Sequence, residues 1–255
     1  MGPVTRTCYT QAMKLWALRL GWVVGLYAGS VGLAAFAQGS YQIVLPVVLR
    51  SGTTVFGPEH SGDGTYYDAT GDGNCMLGPS PGDMRVAAMN HTDYADAALC
   101  GAYIQATGPK GTVQVRIVDR CPECPAGDVD FSREAFAMIA DLPQGRVPIT
   151  WRLVSPEISG TVAYRIKEGS NPWWTAVQVR NHRNPIATLE FLAGNGQYVN
   201  VPRTSYNYFV LTSGMGAGPY TFRVTDVFGQ VLIDSGIPLS PGVVTPGSGQ
   251  FPQAP

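Results

Sequence analysis

Two aspartates, Asp119 and Asp130, stand at the ends of one short stretch in VRIVDRCPECPAGDVDFS. Between them lie Cys121 and Cys124 and two prolines, which stiffen the connection and predict a constrained loop carrying a carboxylate at each end. Carboxylates crowded in this way suit acid chemistry on glycosidic bonds, because crowding raises one pKa and keeps a proton available near neutral pH. An aspartate before a loop or a helix serves equally well as a turn former or a helix-dipole partner, so the local pattern needs support from elsewhere. A second set of residues sits far downstream in RIKEGSNPWW. Neighbours in a strand face opposite ways, so Trp173 and Trp174 cannot both be core residues of one regular strand. An irregular GSNP entry would let both indoles lie on the surface, with Tyr206 extending the row and Lys167 flanking it. A row of aromatic faces suits the apolar faces of glucose rings, each stack contributing on the order of 1 kcal/mol beyond area burial. The opposing reading buries one Trp and leaves the other incidentally exposed.

The elements that must position these residues are mostly strands. Val113, Val115 and Ile117 alternate and deliver Asp119 to a strand end. Further strands are expected over 84–89, 102–107 and 147–153, with GPKG as a hairpin turn. The one expected helix is SREAFAMIADLP, capped by Ser132, burying Phe136, Ile139 and Ala140 and ended by Pro143. Upstream, SGDGTYYDATGDGNC could place Thr65, Tyr66, Tyr67 and Asp68 along an open groove, or form a solvated turn cluster. Many strands and one helix over residues 61–154 predict a small β-barrel. Ser155-Pro156 marks a boundary, and seven alternating segments over 157–240 predict a β-sandwich. Residues 241–255, rich in Gly and Pro, read as a flexible tail, and 38–60 as a linker.

Arg6, Lys14 and Arg19 precede an apolar run over residues 21–36 that ends in Ala35-Phe36-Ala37, which predicts a signal peptide over 1–37. A retained anchor is the alternative. Secretion leaves four cysteines, Cys75, Cys100, Cys121 and Cys124, in an oxidising compartment, where disulfides come first. Three pairings are open; Cys75 with Cys100 and Cys121 with Cys124 is favoured, and a four-cysteine zinc site is the runner-up. Without the leader the chain carries 14 basic against 18 acidic residues, which argues against a nucleic-acid partner. Nothing calls for a cofactor or for a membrane partner after leader cleavage, and a monomer is expected.

The stretches ATGPKGTVQVRIVD, AFAMIADLPQGRVPITWRLV and TVAYRIKEGSNPWWTAVQVRNHRNP, with SYNYFV and the Asp119-to-Asp130 spacing, resemble the bacterial expansins, two-domain secreted proteins that loosen plant cell walls. The resemblance runs from Gly64 to about Gln253. It implies an all-β chain: a six-stranded double-psi β-barrel, similar to family-45 glycoside hydrolases, followed by an immunoglobulin-like sandwich of the family-63 carbohydrate-binding type. The family's essential barrel aspartate falls on Asp130, its companion on Asp119 and its threonine on Thr65. The binding aromatics fall on Trp173, Trp174 and Tyr206, with the lysine at Lys167. Cys121 stands where close bacterial relatives carry an aromatic. The DRCPEC pattern with Cys75 and Cys100 looks like fungal loosenins and other barwin-like barrels, which supports disulfides. The resemblance implies binding to cellulose and other wall glycans and non-hydrolytic loosening, since an acid without a second carboxylate to activate water does not complete inversion. Asp68, Asp72, Glu123 and Asp128 are candidate second carboxylates. A family-45-like endoglucanase, a peptidoglycan-acting lytic enzyme and a pure carbohydrate-binding module are the rival readings.

Overall fold

The computed structural model describes residues 52–255; the expected leader and residues 38–51 of the expected linker lie outside the described residues. Alternating burial along the first half of the described chain builds six strands, β1 (Thr54–Tyr67), β2 (Val86–Asn90), β3 (Tyr103–Gly108), β4 (Gly111–Cys121), β5 (Val129–Ser132) and β6 (Val147–Ser155). They close into a barrel in the order β1-β5-β2-β4-β3-β6. Two pairs are parallel, β1 with β5 and β2 with β4, and β2 and β5 run antiparallel between them. Val113, Val115 and Ile117 of β4 point inward to meet Ile104, Phe131, Phe136 and Trp151. Helix α2 (Arg133–Ile139) starts where expected, with the Ser132 hydroxyl accepting the Ala135 N–H at 3.1 Å.

Within the barrel several elements differ from the sequence reading. Residues 54–60 form the first half of β1 rather than a linker, paired with β6 on either side of a register shift between Phe56 and His60. Asp130 lies within a short strand, β5, rather than at a loop end. A one-turn helix, α1 (His91–Tyr94), adds to the single helix expected; Asn90 caps it by accepting the Asp93 N–H.

The second half forms a sandwich of eight strands, β7 (Ala163–Ile166), β8 (Thr175–Arg180), β9 (Ile186–Leu192), β10 (Tyr198–Val201), β11 (Phe209–Leu211), β12 (Tyr220–Asp226), β13 (Val231–Ile237) and β14 (Val244–Pro246). One sheet runs β10-β9-β12-β13 and the other β11-β8-β7-β14. The eighth strand overturns the expectation of a flexible tail. Val244, Thr245 and Pro246 pair with β7, and Phe251 is buried in the sandwich core. Beyond it, the Ala254 N–H donates to Ser155 Oγ at 3.1 Å, so the C-terminus is pinned to the end of the barrel's last strand.

The two halves meet along a polar seam. Gln178 and Asn207 donate to the Cys75 carbonyl at 2.8 and 3.1 Å, Arg180 donates to the Met76 carbonyl at 2.9 Å, and Arg203 donates to Ala97 O at 3.0 Å. In these four bonds the donor is a sandwich side chain and the acceptor a barrel carbonyl. The seam therefore depends on the shape of the 74–101 loops, which the Cys75–Cys100 disulfide fixes. The second disulfide joins Cys121 to Cys124, which removes the zinc-site alternative.

Candidate functional site

Parallel pairing places Thr65 of β1 directly opposite Asp130 of β5. The threonine hydroxyl donates to Asp130 Oδ1 at 2.5 Å. Asp130 is half-buried, and that burial raises its pKa above the ordinary carboxylate value; the charges of Glu123 and Asp119 add to the rise, while the Thr65 bond and Arg146 oppose it. A proton is thus easier to keep on Asp130 than on a free aspartate. At the end of β4, Asp119 Oδ1 accepts the Asn74 and Arg120 backbone N–H groups at 2.6 and 2.8 Å. Gly73 makes this approach possible, since a Cβ there would lie 2.3 Å from Asp119 Cγ.

Alternation along β1 decides which neighbours of Thr65 share the site. Tyr67, two residues on, shares its face; its hydroxyl is buried without a hydrogen-bond partner among the described residues. Burial, then the charges of Asp119 and Asp130, push the Tyr67 pKa up, so the phenol stays protonated as a donor beside the two carboxylates. Tyr66 faces the other way and packs on Phe136 under Arg133, which removes it from the expected groove row. Asp68 is exposed and pairs with Arg133 at 3.7 Å.

The remaining candidate carboxylates sort themselves by their partners. Asp72 accepts the Gly73 and Gly78 N–H groups. Asp128 is buried, accepting the Asp63 N–H at 2.8 Å and facing Arg146 at 3.3 Å. Glu123 is exposed on the disulfide-closed Cys121–Cys124 turn and is the first of the charges acting on Asp130.

On the sandwich, the irregular entry expected from GSNP is an Asn171 turn. Asn171 Oδ1 accepts both the Trp173 and Trp174 N–H groups, at 2.9 and 3.1 Å, before β8 begins at Thr175. Trp173 is 77% exposed. Trp174 is partly buried and, with Tyr206, packs against Ala176, Tyr208 and Val210, so neither indole belongs to the sandwich core. Gly214 (φ +75°) supports this turn from behind, its Cα so close that a Cβ would lie 2.0 Å from Pro172 O and 2.4 Å from the Trp173 Cα. Lys167 reaches Tyr208 rather than Tyr206, its Nζ 5.8 Å from the Tyr208 ring. Tyr206 and Tyr208 approach to 6.0 Å between ring centroids across a turn in which Asn207 takes a left-handed backbone (φ +64°), so no strand alternation in SYNYFV announced Tyr208 as a partner.

Acid site and aromatic surface are joined by one residue. The Asn74 backbone N–H holds Asp119, and its side chain donates at 2.7 Å to the carbonyl of Ser205, the residue before Tyr206. Tyr94 donates to the same carbonyl at 2.9 Å.

A family model described as lytic transglycolase matches residues 83–151, within the barrel. The chain is 38% identical over 205 residues to Expansin-YoaJ of Bacillus subtilis (strain 168), covering 76% of this chain and 87% of that protein. Among solved structures, the apo expansin of Clavibacter michiganensis is similar with TM-score 0.71 and 36% identity, covering 76% of this chain and 98% of that one. A mutant of that expansin, solved in complex with cellohexaose, is similar with TM-score 0.72 at the same identity and coverage.

Proposed function

The chain belongs to the bacterial expansins, and from that premise we propose that it is a secreted, monomeric protein that binds cellulose through Trp173, Trp174 and Tyr206 and loosens plant cell walls without cutting them. The likeness to an expansin seen with cellohexaose supports a cellulose-type glycan as the ligand. The observation that supports the reading is the Asn74 link, whose backbone N–H bonds Asp119 while its side chain bonds the carbonyl of the residue before Tyr206; in this reading one glucan chain touches both the aspartate groove and the aromatic surface. Asp130, half-buried and donated to by Thr65, grips a glycosidic oxygen or a sugar hydroxyl, and Asp119 and Tyr67 shape the same floor.

Hydrolysis with inversion needs a second, free carboxylate across the sugar to activate water. Asp119, Asp72 and Asp128 are already occupied by backbone N–H groups or Arg146, and Asp68 faces Arg133, which supports loosening without cleavage and leaves Glu123 as the candidate the test must include. The experiment is creep of heat-killed wall strips with reducing-end release measured alongside. Wild type is expected to extend the strips with no sugar release, and Asp130→Asn to abolish extension. Sugar release that disappears in both Asp130→Asn and Glu123→Gln would instead establish an endoglucanase. One finding favours a second reading: the family model over residues 83–151 carries a lytic transglycolase description, which keeps peptidoglycan as a rival substrate. Muropeptide release from purified sacculi would favour it.

A further inference from the structure

A second cavity system lies on the other side of the 71–83 loop from the aspartate groove. Gly73 and Asn74 of this loop border Asp119, whereas Leu77, Ser80 and Asp83 line two adjoining cavities of about 330 and 210 Å³. Tyr103 and Arg116 line both cavities, so the two are lobes of one trench. The smaller lobe is closed from the sandwich side by Ala163, Arg180 and Val244, which places it on the seam.

The charge in this trench is not neutralised within it. Arg116, on β4, uses its guanidinium on the Ser80 hydroxyl at 2.6 Å. Arg180, on β8, uses its own on Gln178 Oε1 at 2.6 Å and the Met76 carbonyl. Among the described residues neither forms an ion pair with a carboxylate, although Arg85 beside them is held bidentate by Asp83 at 2.9 and 2.7 Å. Burial, then the charges of Arg165 and Arg116, lowers the Arg180 pKa, while Tyr208 and Asp72 oppose the shift. Such guanidiniums, fixed by neutral acceptors and facing one cavity, match the planar fork of a carboxylate better than a point charge would. The rest of the lining suits a sugar ring: Tyr103 and the apolar side chains of Ala163, Val244 and Leu77.

We infer that this seam trench is a binding site for a uronate residue of an acidic polysaccharide, its carboxylate held between Arg116 and Arg180 and its ring against Tyr103. The site is separate from the aspartate groove and does not depend on what that groove binds. Its contribution is an attachment to acidic matrix glycans that salt weakens, alongside attachment to neutral glucan by the aromatic surface.

The test is calorimetric titration at low salt with trigalacturonate, with cellohexaose as the neutral control. Wild type is expected to bind trigalacturonate; Arg116→Gln and Arg180→Gln each weaken it about tenfold or more while leaving cellohexaose binding unchanged. Trp173→Ala does the reverse. Should the arginine variants fail to fold, wild type suffices: trigalacturonate is expected to protect Arg116 and Arg180 from phenylglyoxal, read by peptide mapping. Absence of trigalacturonate binding, binding indifferent to both arginines, or protection only of other arginines would overturn the assignment. So would protection of the same two residues by an oligomeric glycerol phosphate with none by trigalacturonate.

Discussion

At Asp130 the sign of the pKa shift makes a prediction about stability. An aspartate titrates near 3.8 in the unfolded chain and higher in the folded one, so between these values the native state binds more protons and stability falls as pH rises. The cost is absent below the unfolded value and complete above the folded one. Asp130→Asn keeps an acceptor for the Thr65 hydroxyl and removes the charge, so it is expected to raise the thermal midpoint at pH 7 relative to wild type. The difference should vanish near pH 3. A variant less stable than wild type at pH 7 would mean that the Thr65 bond, not burial, dominates this carboxylate. Function goes the other way, because the groove's acid is then missing: wall extension is lost while cellulose retention stays within about twofold. A residue can therefore be held at a stability cost because the site needs it.

At the level of elements, the site depends on two turns whose glycines stand where no other residue fits. Gly214→Ala would drive a Cβ into Pro172 and Trp173, tilting the turn that presents both indoles. Cellulose pull-down is expected to show about fivefold weaker retention, the loss of about one stack, with the barrel's thermal signature unchanged. Gly73→Ala would push on Asp119 instead, so wall extension should fall while cellulose retention holds. The alternation of β4, the Ser132-capped helix and the seven main sandwich segments could be read from the sequence because their patterns are local. The four-residue β5 could not, since Val129 and Phe131 give too short an alternation to separate from a helix entry. β1 was hidden because its inward residue Gly64 and its polar neighbours lack strand character, and pairing with β5 and β6 supplies what propensity does not. The C-terminal segment looked disordered by composition. Phe251 is the lone large apolar residue of its last stretch, and its burial depends on a core assembled from strands far away in the chain.

The whole molecule holds two domains in one arrangement through a seam rich in hydrogen bonds and a C-terminal strap. Gln253 donates to Gly52 O and Ala254 to Ser155 Oγ, both at the barrel, while Phe251 anchors the same segment in the sandwich. Phe251→Ala is expected to cost about 3–5 kcal/mol of stability, measured by chemical denaturation, with the sandwich transition moving first. His182 lies fully buried at the seam against the barrel's Cys100, its Nδ1 2.8 Å from the Asn184 carbonyl, and burial holds its pKa down at about 4. Its ordinary value is 6.5, so between 6.5 and 4 the unfolded chain takes up the proton first and the fold loses stability as pH falls. On the order of 3 kcal/mol is at stake, and His182→Gln should flatten that part of the melting-temperature profile. The central claim concerns both domains at once: a single glucan chain lies across the aspartate groove and the aromatic surface. Its most direct test is an NMR titration of the two-domain protein with cellohexaose. The account predicts that Thr65 and Asp130 amides and the Trp173 and Trp174 indoles shift together along one binding isotherm. Shifts confined to the indoles, or two isotherms with different midpoints, would contradict it.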